Sequence, residues 1–318
     1  MIKLIFSLVL LMLSMLVLFR APTNFFWLVA VALTNFPYIP MLLTGFSFYL
    51  GDRAERFHWP ILAISSIAFI IFSLPIISGY RQTVTVPTAM NKIFPVNNED
   101  ELPVVFSLFK MFTPNATMAF QSFVYKRAGG KDLLADFYPA KIKTPASLVI
   151  VVHGGSWESG DNKQLPELNS YLASKGFNVA AITYRLAPGY KAPAPAEDVE
   201  DAIRFFMEHA AQFKVDTNNI ILLGRSAGGQ IVLSAAYTLH LPNIKGVINY
   251  YGPADMEWGG QVKVNSLVLN TDKIYRSYFG GLYGEVPEKF RESSALVHAD
   301  RTSPPTLMIH GTIDPLVS

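Results

Sequence analysis

The chain has 318 residues, of which 51% are hydrophobic and 16% are charged, and its mean hydropathy is +0.29. Soluble domains carry about 25% charged residues, so this composition is too apolar for an ordinary soluble protein. The net charge of +2, without a basic cluster interleaved with aromatic residues, gives no case for nucleic-acid binding. The absence of cysteine excludes disulfides, thiolate catalysis and cysteine-type zinc sites, but it does not decide the cellular compartment.

The apolar excess lies in the first eighty residues, where three charge-free runs cover residues 4–19, 21–51 and 59–80. A bilayer-spanning helix needs about 20 apolar residues, with a range of about 17–25. The second and third runs reach this length, and the first is borderline unless Lys3 extends toward the interface. The pattern predicts a membrane anchor over residues 1–80 with about three transmembrane helices.

Two alternatives for this segment stay open. One is a cleaved signal peptide followed by two helices, because the first run has a basic start and an apolar middle. The sequence Phe19–Pro22 lacks the small-residue pattern of a cleavage site, however, and the next apolar run begins almost at once. The other alternative is a buried helical hairpin that does not span a bilayer.

The basic residues that flank the runs weakly favour an N-terminus on the cytoplasmic side. In that orientation Lys3, Arg53 and Arg56 are cytoplasmic, whereas Arg20 and Arg81 lie outside. Three spans then place the rest of the chain on the outer face. The sequence therefore predicts an integral membrane protein whose large C-terminal domain is, by a weak preference, extracytoplasmic.

Residues 81–117 are interpreted as a linker or cap segment. They combine Pro, Asn and Thr with an acidic patch at Glu99–Glu101 and an apolar patch at Val104–Phe112, where a helix packed on the following domain is expected. The triplet Asn115–Thr117 matches a glycosylation sequon, but the motif is too common by chance to predict a glycan.

From residue 118 the sequence alternates between short apolar runs and helical patterns. Strands separated by helices form a mostly parallel sheet with right-handed crossovers, so residues 118–318 are expected to form an α/β domain. The predicted strands are residues 133–138, 148–152, 178–183, 219–223, 247–251 and 306–309, and the predicted helices are 165–174, 197–213 and 228–239.

A G-x-S-x-G motif at Gly224–Gly228 stands between a predicted strand and a predicted helix. This strand–turn–helix context is the one that a nucleophile elbow requires. The serine hydroxyl then points into a site at the helix N-terminus, where the backbone amides favour negative charge. We predict that Ser226 is a catalytic nucleophile, and the alternative is a structural Gly/Ser turn.

A second motif, His153–Trp157 (H-G-G-S-W), follows the strand 148–152. Acyl transfer develops an oxyanion that needs preorganised N–H donors, and consecutive glycines let a backbone approach closely enough to supply them. We predict an oxyanion hole built from the amides of Gly154, Gly155 and Ala227. His153 is expected to support the loop rather than to act as a base.

Together these motifs resemble the α/β-hydrolase carboxylesterases near the hormone-sensitive-lipase, acetyl-esterase and kynurenine-formamidase-like branches. The resemblance covers about residues 120–318 and says nothing about residues 1–117. The segments that carry it, in the family's order, are His153–Asp161 (H-G-G-x-W-x-x-G-D), Tyr184–Pro188 (Y-R-L-A-P), the acidic pair Glu197–Asp198, Gly224–Gly229, Phe279–Gly281 and Pro304–Asp314 (P-P-T-L-x-I-H-G-x-x-D).

The resemblance implies the α/β-hydrolase fold and assigns Asp314 as the triad acid. A carboxylate in that role holds an imidazole in the correct tautomer and stabilises its protonated form. The alternative for Asp314 is a capping or turn aspartate. Asp198 and Arg185 are expected to form a structural polar pair beneath the site.

One feature departs from the family. The order in this fold is Ser, then acid, then His, yet all six histidines lie at or before His310. We therefore expect a C-terminally truncated hydrolase domain whose catalytic histidine lies beyond the end of the chain, and expect the chain as given to be inactive and poorly stable. A pseudoenzyme, or recruitment of His298 as the base, is the alternative.

The sequence as a whole predicts a serine hydrolase that cleaves short- to medium-chain carboxylic esters through an acyl-serine. No metal or organic cofactor is predicted, because H-E-x-x-H, P-loop and G-x-G-x-x-G motifs are absent. The aromatic insert between Gly252 and Pro304 is expected to cap an acyl pocket, with help from residues 96–127. The expected partners are a small-molecule or lipid ester and the membrane, with no nucleic acid.

Three other functions stay open. A peptidase or an arylformamidase would use the same triad. A non-catalytic membrane protein would keep the fold without the triad. A transporter is disfavoured because the apolar runs contain no charge that would mark a pathway.

Overall fold

The computed structural model describes residues 1–50, 57–93, 116–142 and 144–317. It divides into two units, Met1–Pro114 and Asn115–Ser318. Several sequence-based expectations fall outside the described residues: those for the basic residues Arg53 and Arg56, the acidic patch Glu99–Glu101, the apolar patch Val104–Phe112 and the sequon residue Asn115.

The N-terminal unit is helical in its described residues. Its helices are α1 (Ile2–Ser14), a 3₁₀ turn (Met15–Val17), α2 (Asn24–Asn35), α3 (Tyr38–Leu50) and α4 (His58–Ile93). The last of these continues past the predicted end of the anchor at residue 80, so no helix end separates the anchor from the start of the predicted linker.

One helix in the described residues, His58–Met90, is long and apolar enough to cross a membrane. The second predicted span is instead two helices, Asn24–Asn35 and Tyr38–Phe48, bent by 81° at a break that contains Pro37, and the pair counts as a second candidate if it forms one broken span. Proline lacks the N–H that a continuous helix needs, which explains the break. The first run forms a shorter apolar helix, Ile2–Val17. Of the three predicted spans, only the third is therefore a single helix that is long enough to cross a membrane.

Serine hydroxyls connect α1, α3 and α4 inside this unit. The Ser47 hydroxyl donates to Ser65 Oγ over 2.6 Å, and the Ser65 hydroxyl donates to Ser7 Oγ over 3.0 Å. Leu10, Ala68 and Phe72 are buried beside them. Small residues and hydroxyl pairs of this kind let apolar helices approach one another closely.

The C-terminal unit contains a seven-stranded sheet in the order β1-β2-β4-β3-β5-β6-β7. Strands β3 to β7 pair in parallel, as predicted, whereas β1–β2 and β2–β4 pair antiparallel. The strands are β1 (Gln121–Ala128), β2 (Lys131–Tyr138), β3 (Ala146–Val152), β4 (Asn178–Ile182), β5 (Val215–Arg225), β6 (Ile244–Tyr250) and β7 (Thr306–Ile309).

Of the seven strands of this sheet, β1 is the one that the sequence pattern does not predict. It carries mostly exposed or half-buried side chains, so it lacks the continuous apolar run that marks the inner strands. Gly129 and Gly130, with φ of +57° and +74°, form the two-residue connection to β2. Two residues with positive φ match the twist of a tight hairpin, and this Gly-Gly pair is the sequence signal for β1.

Helices cover both faces of the sheet, and the predicted helix 197–213 is divided at His209 into α6 and α7. The helices are α5 (Pro166–Ser174), α6 (Ala194–Glu208), α7 (Ala210–Phe213), α8 (Ala227–Leu239), α9 (Met256–Gln261), α10 (Thr271–Tyr278), α11 (Pro287–Glu292) and α12 (Ala295–His298). The side chains of β3 alternate between two cores, with Ile150 and Val152 in one and Val149 and Val151 in the other. Burial on both faces is the reason that the inner strands were recognisable as apolar runs.

Candidate active site

The turn between β5 and α8 has the geometry of a nucleophile elbow. Ser226 has φ of 52° and ψ of −122°, a conformation that costs a non-glycine residue about 1–3 kcal/mol. Its N–H donates to the carbonyl of Tyr250 over 2.9 Å, and its carbonyl accepts from the N–H of Gly229 over 2.8 Å. These contacts hold the serine in place between the strand and the helix.

The elbow requires glycine at positions 224 and 228, because neighbouring backbone atoms lie too close for a Cβ. A Cβ on Gly224 would lie 2.2 Å from the carbonyl oxygen of Gly228, and a Cβ on Gly228 would lie 2.3 Å from the carbonyl oxygen of Val152. Real Cβ atoms do not come this close to backbone atoms. The spacing of the motif therefore reflects how tightly β5, α8 and the end of β3 pack.

Sequence reasoning missed a buried asparagine that supports the elbow. The Asn249 side chain donates to the carbonyl of Gly252 over 2.9 Å and accepts from the Gly252 N–H over 2.9 Å. A Cβ on Gly252 would lie 2.7 Å from the carbonyl oxygen of Ser226. Asn249 thus fixes the turn after β6 directly against the nucleophile, and no motif in the sequence marks it.

The loop after β3 passes beside the nucleophile. A Cβ on Gly154 would lie 3.2 Å from the Cβ of Ser226. Gly155 has φ of +133°, and its carbonyl accepts from the N–H groups of Glu158 and Ser159 over 3.0 and 3.1 Å. Gly154 is therefore the residue whose backbone lies against Ser226, and Gly155 is the residue at which the loop turns.

The predicted oxyanion donors are the backbone amides of Gly154, Gly155 and Ala227. In the described part of the chain, no acceptor pairs with the N–H of Gly154, Gly155 or Ala227. Ala227 is the first residue of α8, where helix N–H groups have no partner within the helix. The arrangement leaves these donors available to an oxygen atom held beside the nucleophile.

His153 lies beneath this loop, as the sequence predicts. Its ring stacks on Tyr184 with 4.3 Å between centroids and 18° between planes, and its Nδ1 donates to the carbonyl of Gly154 over 2.8 Å. Burial lowers the pKa of His153, and the carbonyl of Gly154 acts in the opposite direction. The imidazole is a neutral support for the loop.

Asp314 lies in the turn after β7. Its Oδ1 accepts from the N–H of Leu316 over 2.8 Å and from that of Val317 over 3.1 Å. Its Oδ2 lies 3.7 Å from Nε2 of His310, which also lies 2.9 Å from the carbonyl of Val317. In the described residues these contacts are the ones typical of an aspartate in a turn. None of them joins Asp314 to Ser226.

A cavity of about 370 Å³ opens beside Ser226. As predicted, the insert between Gly252 and Pro304 supplies much of its wall, whereas none of residues 116–127 contributes. His310 lines the same cavity, and His298 does not. The apolar lining includes Trp157, Trp258, Val264, Leu269, Ile274, Met308 and Leu316, and the polar lining includes Ser156, Asp255, Thr271 and Tyr275.

A buried amide behind the cavity is a second feature that sequence reasoning missed. The side-chain oxygen of Gln230 accepts from the indole N–H of Trp157 over 2.9 Å and from the Tyr278 hydroxyl over 3.2 Å. Its side-chain nitrogen donates to the carbonyl of Ser293 over 3.0 Å. This residue joins the loop after β3, the helix α8 and the insert.

The predicted pair of Arg185 and Asp198 is present and structural. The guanidinium Nε lies 2.9 Å from Asp198 Oδ1, and Nη2 lies 2.8 Å from Glu197. Lys126 contacts the same carboxylate over 2.7 Å. Burial lowers the pKa of Lys126, but its hydrogen bonds to Asp198 and Asp201 outweigh this and raise it. Asp198 is fully buried, so these cations compensate its charge.

Among the described residues, no group of three or more His, Asp or Glu side chains could hold a metal ion. The site that the geometry assembles consists of a serine hydroxyl, backbone donors and an apolar cavity. This set suits acyl transfer on an uncharged group.

Solved structures with a similar fold include two esterases. The chain superposes on a Pyrobaculum calidifontis esterase with a TM-score of 0.55 at 22% identity, covering 64% of this chain and 69% of that one. It superposes on esterase Est2 of Thermogutta terrifontis with a TM-score of 0.51 at 23% identity, covering 62% and 72%. The sheet order and the elbow geometry are those of the α/β-hydrolase fold.

Residues 135–318, more than half of the chain, match the family model BD-FAE, and the chain belongs to that family. It is 31% identical over 183 residues to esterase LipC of Mycobacterium tuberculosis, covering 54% of this chain and 45% of that protein. It is 26% identical over 204 residues to esterase LipQ of the same organism, covering 59% and 48%. The chain thus spans less than half the length of these curated relatives.

Proposed function

We propose that the protein is a serine carboxylesterase. The observation that carries the proposal is the position of Ser226, which lies in a strained elbow on the wall of an apolar cavity with the Gly154 backbone against it. Membership of the BD-FAE family and similarity to esterases support the same reaction class.

In the proposed mechanism, the Ser226 hydroxyl loses its proton to a general base and attacks the ester carbonyl carbon. The carbonyl oxygen becomes an oxyanion, which the amides of Gly154, Gly155 and Ala227 stabilise. The alcohol leaves with a proton, and an acyl-serine remains. Water, deprotonated by the same base, then hydrolyses the acyl-serine and restores the hydroxyl.

The proposal also assigns the acid of the catalytic triad. Asp314 is the proposed acid, which follows the nucleophile in the chain order of this fold. The contacts of Asp314 with Leu316 and Val317 hold its carboxylate at the end of β7. Recruitment of His298 gains no support, because its Nε2 lies 3.0 Å from the carbonyl of Glu292 and it does not line the cavity.

The proposed substrate is an ester with a short- to medium-chain acyl group. A cavity of about 370 Å³ lies at the lower end of the range of about 300–1,000 Å³ for small-molecule sites. Its apolar lining favours an uncharged acyl group, and Asp255 on its wall disfavours an anionic one. A small-molecule ester and a lipid-borne ester both fit this chemistry.

The protein is also proposed to be integral to a membrane, with the hydrolase domain on the extracytoplasmic face. The helix His58–Met90 supports insertion by its length and composition. The orientation rests on the basic residues that flank the apolar runs.

The test is hydrolysis of p-nitrophenyl butyrate by the product of the complete gene, compared with Ser226→Ala. Ser234→Ala is the matched control, because Ser234 is a buried serine in α8, the helix that follows Ser226, and it does not line the cavity. We expect no hydrolysis above background from Ser226→Ala and unchanged hydrolysis from Ser234→Ala. Hydrolysis by Ser226→Ala at the wild-type rate would overturn the proposal.

The same preparation separates the neighbouring reaction classes. An esterase hydrolyses p-nitrophenyl butyrate faster than butyryl p-nitroanilide or formanilide, whereas a peptidase or an arylformamidase reverses one of these preferences.

A further inference from the structure

The Gln230 amide lies where three parts of the candidate site meet. It is 1% exposed, and its side chain makes three hydrogen bonds, with Trp157, Tyr278 and Ser293. A buried amide is tolerated when its polar atoms are paired, and these partners come from different elements. An apolar side chain would fill the space without joining the loop after β3 to the insert.

Trp157 is the partner under strain. It has φ of 62°, and Ser156 before it has φ of 52°. Non-glycine residues persist in this region when their surroundings over-determine the conformation. The surroundings of Trp157 include its hydrogen bond to Gln230 and its ring stack on Tyr278, with 4.5 Å between centroids and 7° between planes. Its carbonyl also accepts from the N–H of Ala187 over 2.9 Å.

The same helix turn holds the nucleophile. The backbone N–H of Gln230 donates to the carbonyl of Ser226 over 3.2 Å. Its side chain contacts the loop two residues beyond Gly155. Gln230 therefore connects the residue that is proposed to attack with the loop that is proposed to supply oxyanion donors.

We infer that Gln230, with Tyr278 of the insert, is a positioning residue that sets the distance between the Ser226 hydroxyl and the donors of the Gly154–Gly155 loop. This inference rests on the proposed esterase function. Because Tyr278 belongs to α10, whose residues Ile274 and Tyr275 line the cavity, the amide also couples the cap to the oxyanion donors. Neither residue touches the substrate.

The test compares Gln230→Met and Tyr278→Phe with wild type. Methionine keeps the length of the side chain and removes its hydrogen bonds, and phenylalanine keeps the ring stack and removes only the hydroxyl. Ser234→Ala is the control, because Ser234 lies one turn further along α8 and is buried, and among the described residues no side-chain hydrogen bond joins it to the loop or the insert. The measurements are kcat and KM for p-nitrophenyl butyrate, the Kd of butylboronic acid, and the thermal midpoint.

We expect Gln230→Met to lower kcat about tenfold or more, since a small displacement of reacting groups is costly, with KM changed less than about twofold. Butylboronic acid forms a tetrahedral adduct that mimics the oxyanion, so its Kd should rise in parallel with the loss of kcat. Tyr278→Phe should produce a smaller change in the same direction. It also tests the inference if Gln230→Met does not fold.

A merely structural role predicts a different pattern. In that case the thermal midpoint falls, but kcat per folded molecule and the Kd of the boronic acid stay at wild-type values. That pattern in Gln230→Met, or in Tyr278→Phe if the first variant does not fold, would overturn the inference. If Ser226→Ala abolished hydrolysis in the same experiment, the esterase proposal would still stand. A failure of the positioning role can therefore be distinguished from a failure of the esterase proposal.

Discussion

A Cβ on Gly154 would lie 3.2 Å from the Cβ of Ser226 and 3.0 Å from the carbonyl oxygen of Arg225. The glycine after β3 is therefore in direct contact with the elbow after β5. This contact places the Gly154 backbone beside Ser226, where the proposed mechanism needs an oxyanion donor.

Gly154→Ala is expected to reduce ester hydrolysis about 10²–10³-fold, the usual cost of losing one oxyanion donor. The added methyl group pushes the loop away from Ser226. The check is kcat/KM for p-nitrophenyl butyrate. Gly246→Ala is the control, because its new Cβ meets its nearest neighbour, the carbonyl oxygen of Pro305, at 3.6 Å. Equal activity in the two variants would contradict the assigned role of Gly154.

Gly228→Ala is expected to destabilise the fold. The new Cβ would lie 2.3 Å from the carbonyl oxygen of Val152 and 2.4 Å from that of His153, and backbone at the end of an inner strand cannot move aside cheaply. Overpacking of this kind costs about 1–3 kcal/mol or more. Urea unfolding followed by circular dichroism measures the loss. The matched variant Gly259→Ala, whose nearest atom is the Tyr275 hydroxyl at 3.6 Å, should unfold like wild type.

Asp198→Asn is expected to lower the free energy of unfolding by about 3 kcal/mol or more, because it leaves Arg185 and Lys126 beside a buried neutral amide. The comparison variant is Asp132→Asn, which breaks an exposed pair with Arg127. Exposed pairs contribute little, so this variant should be close to wild type. If the two variants lost similar amounts of unfolding free energy, the buried network would contribute no more to stability than an exposed ion pair.

The stability of the protein should depend on pH through His153. Burial lowers the pKa of this imidazole in the native state, so below about pH 6.5 the unfolded chain gains a proton before the native protein does. This contribution to the free energy of unfolding is fully present above about pH 6.5 and is lost as the pH falls through the native pKa. Urea unfolding over this range should show a shallower pH dependence in His153→Asn than in wild type. His209→Asn, at an exposed site, should retain the wild-type slope.

The topology can be tested with single cysteines, because these 318 residues contain none. In intact cells, a membrane-impermeant maleimide should label Arg20→Cys and Glu288→Cys. It should label Lys3→Cys only after lysis. Protection of Glu288→Cys in intact cells would reverse the proposed orientation of the hydrolase domain.

Short-range sterics explain why much of the site was predictable. The glycines at 224 and 228 are required by backbone contacts within a few residues or with the adjacent strand, so their spacing appears as a motif. The inner strands are buried on both faces, which makes them continuous apolar runs. Strand β1, with one exposed face, lacks that signature and was missed.

The sequence by itself therefore determined the elbow, the glycine loop and the parallel strands, because each depends on local conformation or on burial of its own residues. Only the tertiary structure decided the partners of Gln230, the support that Asn249 gives to the elbow, and the bend at Pro37 in place of a continuous span. Those features depend on which distant side chains meet after folding. A polar side chain in a helix or strand does not reveal its distant partners through its neighbours in the chain.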